Sequence, residues 1–437
     1  MSKLKNRSKR HFNKNCYIFI AILIVFIAVL GMVFLIAAHG KKQKKAPEAD
    51  SVVTQTMDSD SESVLGFEES TAEETEMQLI EEKSPEQLLE ERIDAKMAQM
   101  SLEERVLQMF MITPEALTGY GTVTAAGDVT YQSLQKYPVG GIILFAQNVI
   151  DPDQLGTMNG NLQNYSEEIT GLPMFISVDE EGGKVARIAK NSNFSVETFS
   201  DMRSIGDSGD TTKAYEVGNT IGAYLNQYGF NLDFAPDADV LTNPDNQVIG
   251  TRSFGTDPYV VSEMTQSVVN GLEDNQVYAC LKHFPGHGAT SGDTHAGYAY
   301  TDKTLDELMQ SELVPFSNGI QNGVHFIMVS HIAAPQVTGD NLPASLSPYM
   351  IQTVLREQMG YDGIVITDAM NMGAISDNYG SADAAVRAVN AGADIVLMPK
   401  DFVSAYQGVL NAVENGTIST DRIDEAVRRI LRVKMQS

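Results

Sequence analysis

"GIVITDAM", residues 363–370, is an apolar run that ends on a carboxylate, Asp368. A strand with one wet face alternates apolar and polar residues, and this one does not, so both of its faces must be covered. Seven further runs read the same way: "QMFMI" (108–112), "GGIILF" (140–145), "MFISVD" (174–179), "LDFAPDADV" (232–240), "ACLKHF" (279–284), "HFIMVSH" (325–331) and "ADIVLMP" (393–399). Stretches of helical period separate them, among them 211–228, 260–275 and 382–391. Eight buried strands alternating with helices predict a (β/α)8 TIM-type barrel, with a doubly wound open sheet as the alternative. "RIDEAVRRILRVKMQS" (422–437) reads as a closing helix.

Polar groups able to do chemistry follow these runs: Asp179, the pair Asp237 and Asp239, Lys282 with His283, His331 and Asp368. In a barrel the C-terminal strand ends converge on one face, where active sites are built. The competing explanation is local, since Asp is a good helix N-cap. It serves for one Asp and strains to serve for five runs.

The stretch "LKHFPGHGATSGDTHAGY" (281–298) invites a metal reading, with His283, His287, Asp293 and His295 as ligands. Pro285 and Gly286 break the helical face that an i, i+4 zinc pair uses, which leaves ligation from a loop as the one metal alternative; the expectation is no metal and no cofactor. Neither a phosphate-binding G-x-x-x-x-G-K-[ST] loop nor a G-x-S-x-G nucleophile elbow occurs. What remains is carboxylate and histidine chemistry. Asp368 at a strand end is placed to attack an anomeric carbon, and His295 has the ordinary pKa a proton shuttle needs, with Asp293 two residues away to orient it.

Outside this region the composition sets the setting. The 437 residues carry a formal net charge of -26 and are 43% hydrophobic, which supports a large core and argues against a nucleic-acid surface. Fourteen acids against one Lys fall in residues 46–90, the composition of a solvated tether. Residues 17–38 are uncharged and long enough to span a bilayer, flanked by six basic residues before and four after. The chain is thus divided into a basic cytoplasmic segment (1–15), a transmembrane signal-anchor (16–39), an acidic tether (40–91) and a single catalytic domain (92–437). The expected location is the cell membrane, single-pass, with the catalytic domain extracellular; a cleaved signal peptide is the alternative. Of the two cysteines, Cys16 borders the apolar run and Cys280 lies in a strand, so no disulfide between them is expected.

"KHFPGHG" followed by "GDTH", together with "VDEEGGKVAR", "IGTRSFGTDP" and "ITDAMNM", resembles glycoside hydrolase family 3, and within it the β-N-acetylhexosaminidase (NagZ-like) branch. The resemblance runs from about residue 92 onward. It implies a (β/α)8 barrel and a retaining, metal-independent exo-hydrolase acting on a small glycan with terminal N-acetylglucosamine; with the expected anchor, the expected source is cell-wall (peptidoglycan) fragments. By the same resemblance Asp368 is the nucleophile, His295 the acid/base and Asp293 its partner. Asp179, Arg187, Arg252, Lys282 and His283 match positions that hold the sugar, and their charges suit hydrogen bonds to hydroxyl and acetamide groups. Lys184, Ala186 and Ala289 depart from the usual Arg, Gln and Asp. Family 3 β-glucosidases and β-xylosidases often carry their acid/base on a second domain; "GDTH" and the chain end soon after the eighth strand favour the hexosaminidase branch. A catalytically silent, membrane-tethered wall-binding protein is the alternative of a different class. The absence of Trp suits a small pocket better than a long stacking groove.

Overall fold

In a computed structural model, residues 83–291 and 299–436 are described. Every apolar run contains a strand: β1 (Phe110–Ile112), β2 (Gly141–Ile143), β3 (Phe175–Val178), β4 (Leu232–Asp233), β5 (Tyr278–Phe284), β6 (Phe326–Val329), β7 (Ile364–Thr367) and β8 (Val396–Leu397). Neighbours pair in parallel from β1 through to β7, and β8 returns to pair with β1 through Phe110↔Val396 and Met111↔Leu397. The last seam, β7 to β8, is a parallel bridge, Ile366↔Ile395. The sheet therefore curls into an eight-stranded parallel α/β barrel, and the open-sheet alternative fails at that seam.

Asp394 ties the seam from below. Its fully buried carboxylate accepts from the Val365 N–H at 2.9 Å and from Arg356 and Arg422 at 2.6 and 3.0 Å. Phe175 on β3 and Phe326 on β6 are not on adjacent strands, yet their rings meet edge to face at 5.2 Å, so the barrel interior is filled. The closing helix is present as Thr420–Gln436, and its Lys434 reaches the N-terminal mouth of the barrel, donating to the Gly140 carbonyl at 2.9 Å.

Described structure is present on both sides of the expected boundary at Arg92. Ser84 caps a helix over Pro85–Gln99, accepting from Gln87 N–H while the Gln87 side chain returns the bond. That helix joins the closing helix through Glu90–Arg432 (2.7 Å) and Asp94–Arg428 (2.5 Å). Among the described residues no helix is long and apolar enough to cross a membrane. The expected anchor, most of the tether, Asp293 and His295 lie outside the described residues.

The outer helices Thr211–Gln227 and Pro258–Glu273 touch backbone to backbone. A Cβ on Gly218 would lie 2.2 Å from the Val268 carbonyl oxygen, and one on Gly271 2.4 Å from the Asn219 nitrogen. Gly218→Ala must push the helices apart and should cost about 1–3 kcal/mol in a denaturant titration. Gly121→Ala, with nothing within 4 Å of the added carbon, is the control and should change stability little.

Candidate active site

The C-terminal strand ends enclose a pocket of about 410 Å³ whose lining includes Asp179, Glu181, Arg187, Arg252, Lys282, His283 and Asp368. Six residues expected from the sequence thus meet in one place: Asp179, Arg187, Arg252, Lys282, His283 and Asp368. The strand-end aspartates are not helix caps. Asp151, Asp210, Asp257 and Asp401 do that work elsewhere, each accepting from the first turn of its helix.

β5 is the spine of the site. It carries a register shift between Leu281 and Phe284 and a cis peptide between Lys282 and His283, and these consecutive residues both line the pocket. The Lys282 ammonium sits between two carboxylates from the end of β3, 2.9 Å from Asp179 and 2.6 Å from Glu181. Glu181 also takes Arg252 in a two-point grip, at 2.7 and 2.9 Å. Burial alone would raise the Glu181 pKa and lower that of Lys282. The facing charges win in both cases, so Glu181 is held well below and Lys282 above its ordinary value. All three groups are charged at neutral pH. Arg187 extends the network more loosely, 3.7 Å from Asp179.

Glu180, next in the chain, points away from the pocket. Fully buried, it accepts the N–H groups of Arg187, Ile188 (3.0 Å) and Ala189 (2.9 Å) and the Tyr224 hydroxyl (2.9 Å). It pins the segment that carries Arg187. Of the positions that depart from the family pattern, Lys184 is exposed and Ala186 buried, and neither lines the pocket.

Asp368 follows β7, its N–H bonded to the Val329 carbonyl at 2.8 Å and its Oδ1 accepting from Ala369 N–H at 2.7 Å. Burial pushes its carboxyl up, but His331, His283, the Ala369 N–H and Lys282 outweigh that and hold it below the ordinary value. It is a carboxylate at neutral pH. His331 itself stays behind the wall, fully buried, with Ser345 at 2.8 Å and the Ala369 carbonyl at 3.0 Å.

Under the floor lie two more acids. Asp239 Oδ2 is 2.7 Å from His283 Nδ1, and its Oδ1 accepts from the N–H of His287 at 2.5 Å. Asp237 accepts from Asp239 N–H at 2.9 Å, and its other oxygen lies 3.4 Å from Arg252 without a hydrogen bond. Asp237, Asp239 and His283 bring three possible ligand atoms within 4.8 Å of one another. However, 2.7 Å is a hydrogen bond, closer than the roughly 3.3 Å between adjacent ligands of a tetrahedral zinc with bonds near 2.0–2.1 Å. His287 belongs to the turn: Asn246 donates to its carbonyl at 2.7 Å and Thr290 contacts its Nδ1 at 2.9 Å. At Gly286, with φ of 122°, a Cβ would strike the Glu312 side chain at 2.4 Å. Past this turn the chain is flanked by an antiparallel bridge, Ser291↔Tyr300.

Burial, and then Asp239, push the Asp237 carboxyl up to about 8; burial raises Asp239 as well, and its three donors work against that. A carboxyl whose folded pKa lies above its unfolded value keeps a proton that the unfolded chain releases. Stability must therefore fall as pH rises from about 4 toward 8, by at most about 1.4 kcal/mol per pH unit, and level off above. Asp237→Asn removes the titration; melting curves from pH 5 to 9 should show the variant gaining on the wild type as pH rises. Parallel curves would show that Asp237 is ionised throughout.

Residues 93–433 match the glycosyl hydrolase family 3 N-terminal domain. Beta-hexosaminidase A of Pseudoalteromonas piscicida is 35% identical over 326 residues, which are 69% of this chain; the chain spans only 54% of that protein's length. Beta-hexosaminidase LpqI of Mycobacterium tuberculosis is 35% identical over 68% of the chain and 76% of its own length. A solved family 3 β-N-acetylglucosaminidase from Paenibacillus sp. str. FPU-7 superposes with a TM-score of 0.72 at 37% identity, over 77% of this chain and 62% of that one. A barrel with its charged pocket at the strand ends, and relatives of this closeness along most of its described length, establish that the chain belongs to glycosyl hydrolase family 3.

Proposed function

We propose that the protein is a retaining exo-β-N-acetylhexosaminidase that hydrolyses terminal β-linked N-acetylglucosamine. The observation that carries this reading is the ionised Asp368 at the end of β7, in the same small pocket as the Asp179–Lys282–Glu181–Arg252 network. The relatives named β-hexosaminidase and β-N-acetylglucosaminidase support the substrate class.

In this reading Asp368 attacks the anomeric carbon while His295 gives its proton to the departing glycosidic oxygen, leaving a glycosyl-Asp ester. His295, steadied by Asp293, then takes a proton from water, which displaces Asp368 and releases the sugar. Asp179, Arg187, Arg252, Lys282 and His283 grip the sugar, and Glu181 joins them as the group that holds Arg252 and Lys282 in place. A pocket of about 410 Å³ suits one sugar ring and part of a second better than a long chain. With residues 16–39 as an anchor, the barrel works outside the cell on wall fragments near the membrane.

A fragment beginning at Lys83, which keeps the Ser84-capped helix, should prefer aryl β-N-acetylglucosaminide to aryl β-glucoside and be indifferent to EDTA. A glucoside preference, or loss of activity with chelator, would reject the assignment. Asp368→Asn should lower kcat by about 10⁴-fold or more. His295→Ala should cost about 10²–10⁴-fold on a natural glycoside and clearly less on an activated aryl one. Equal losses on both would remove His295 from the acid role. For the membrane topology, protease added to intact cells should release the barrel; full protection until the membrane is permeabilised would sink it.

A further inference from the structure

The pocket wall contains a histidine whose two ring nitrogens face groups of opposite hydrogen-bonding character. His283 Nδ1 lies 2.7 Å from Asp239 Oδ2, and Nε2 lies 3.4 Å from Nη2 of Arg252. An ionised carboxylate only accepts, and a guanidinium only donates. The first contact requires a hydrogen on Nδ1; the second requires a lone pair on Nε2. Both are met by one neutral tautomer, and by no other state of the ring.

We propose that Asp239 is a positioning residue that locks His283 as the Nδ1–H tautomer, so that Nε2 turns a lone pair, not an N–H, toward the pocket; a sugar hydroxyl takes that lone pair over from the long 3.4 Å contact with Arg252, which Glu181 continues to hold. The proposal rests on the reading of the pocket as a sugar site, and it adds the polarity with which that site reads the sugar. Every charged group around the ring is consistent with it. From the β4 side come Asp239 and Asp237; from the Gly250–Arg252 turn, Arg252; from β5, Lys282; from the following turn, His287; from β7, Asp368. Burial, followed by Arg252, pushes the His283 imidazole down to about 4, which keeps the ring neutral at working pH. Burial raises the Asp239 carboxyl, and against that its Oδ1 accepts the N–H of His287 at 2.5 Å and that of His283 at 3.3 Å; Asp237 has an oxygen with no hydrogen bond and is the better home for the pair's proton, which leaves the charge on Asp239.

Asp239→Asn is the informative change, because the amide keeps the shape. Its oxygen still serves the two backbone N–H groups, and its NH₂ then donates to Nδ1, which forces the hydrogen to Nε2. Nitrogen NMR of the full chain labelled at histidine distinguishes the two tautomers directly, and with seven histidines in the sequence the His283 signal is assigned by difference from His283→Gln. The wild type should show Nδ1–H from pH 6 to 8, and Asp239→Asn should show Nε2–H. With aryl β-N-acetylglucosaminide, KM of Asp239→Asn should rise about tenfold or more, the size expected for one lost hydrogen bond, with kcat changing less. Asp237→Asn should leave the tautomer as it is. A wild-type ring found as Nε2–H or as imidazolium, or an Asp239→Asn protein that keeps Nδ1–H, would overturn the proposal even if its KM rose. Failure of the glycosidase reading shows separately, as a wild-type protein with the Nδ1–H signature and no turnover.

Discussion

The site depends on keeping an ammonium group ionised where water is scarce. Lys282 is nearly inaccessible, and an unpaired charge in that position would shed its proton rather than stay buried. Asp179 and Glu181 prevent this, and Glu181 in turn needs Arg252 to remain an anion itself. The four groups form an open circuit, Asp179–Lys282–Glu181–Arg252, each justified by its neighbours. Removing one leaves an uncompensated charge among the rest, which is far more damaging than the loss of one contact. The circuit also sets the field at Asp368, since Lys282 is among the groups that hold that carboxylate ionised.

The barrel was legible in the sequence because strands covered on both faces cannot alternate. All eight apolar runs contain strands, including β4, whose ladder is only the two residues Leu232–Asp233 of a nine-residue run. There Pro236 and the two aspartates take the chain out of regular pairing, and periodicity alone could not mark where. The helix that precedes Arg92 is hard to read from composition for a simpler reason. The acidic composition of residues 46–90 extends into a real helix, and only the Ser84–Gln87 capping pair, a short-range signal, marks its beginning.

Within the site, the residues that touch the pocket were easier to find than those that govern them. Strand-end position exposes Asp179, Lys282 and Asp368, because topology sends all strand ends to one face. Glu181 lies inside "VDEEGG" (178–183), yet its partners Arg252 and Lys282 are 71 and 101 positions away, and no local pattern says which of three successive acids faces them. Asp237 and Asp239 read from the sequence as strand-end groups. That one of them sits under a histidine, and the other beside it with a proton, depends on depth below the pocket floor, which spacing does not encode. His331 shows the reverse: its position resembled a pocket residue, and it is packed behind the wall against Ser345 and Ala369.

Glu180 holds the Arg187 segment through main-chain N–H groups rather than through side chains. Any residue except proline supplies such a donor, so the anchor is indifferent to what residues 187–189 are. The departures from the family pattern at Lys184 and Ala186 stand just before these three donors. The backbone that carries Arg187 therefore keeps its place whatever side chain stands there, so how this edge of the pocket is held and what it presents are separate matters.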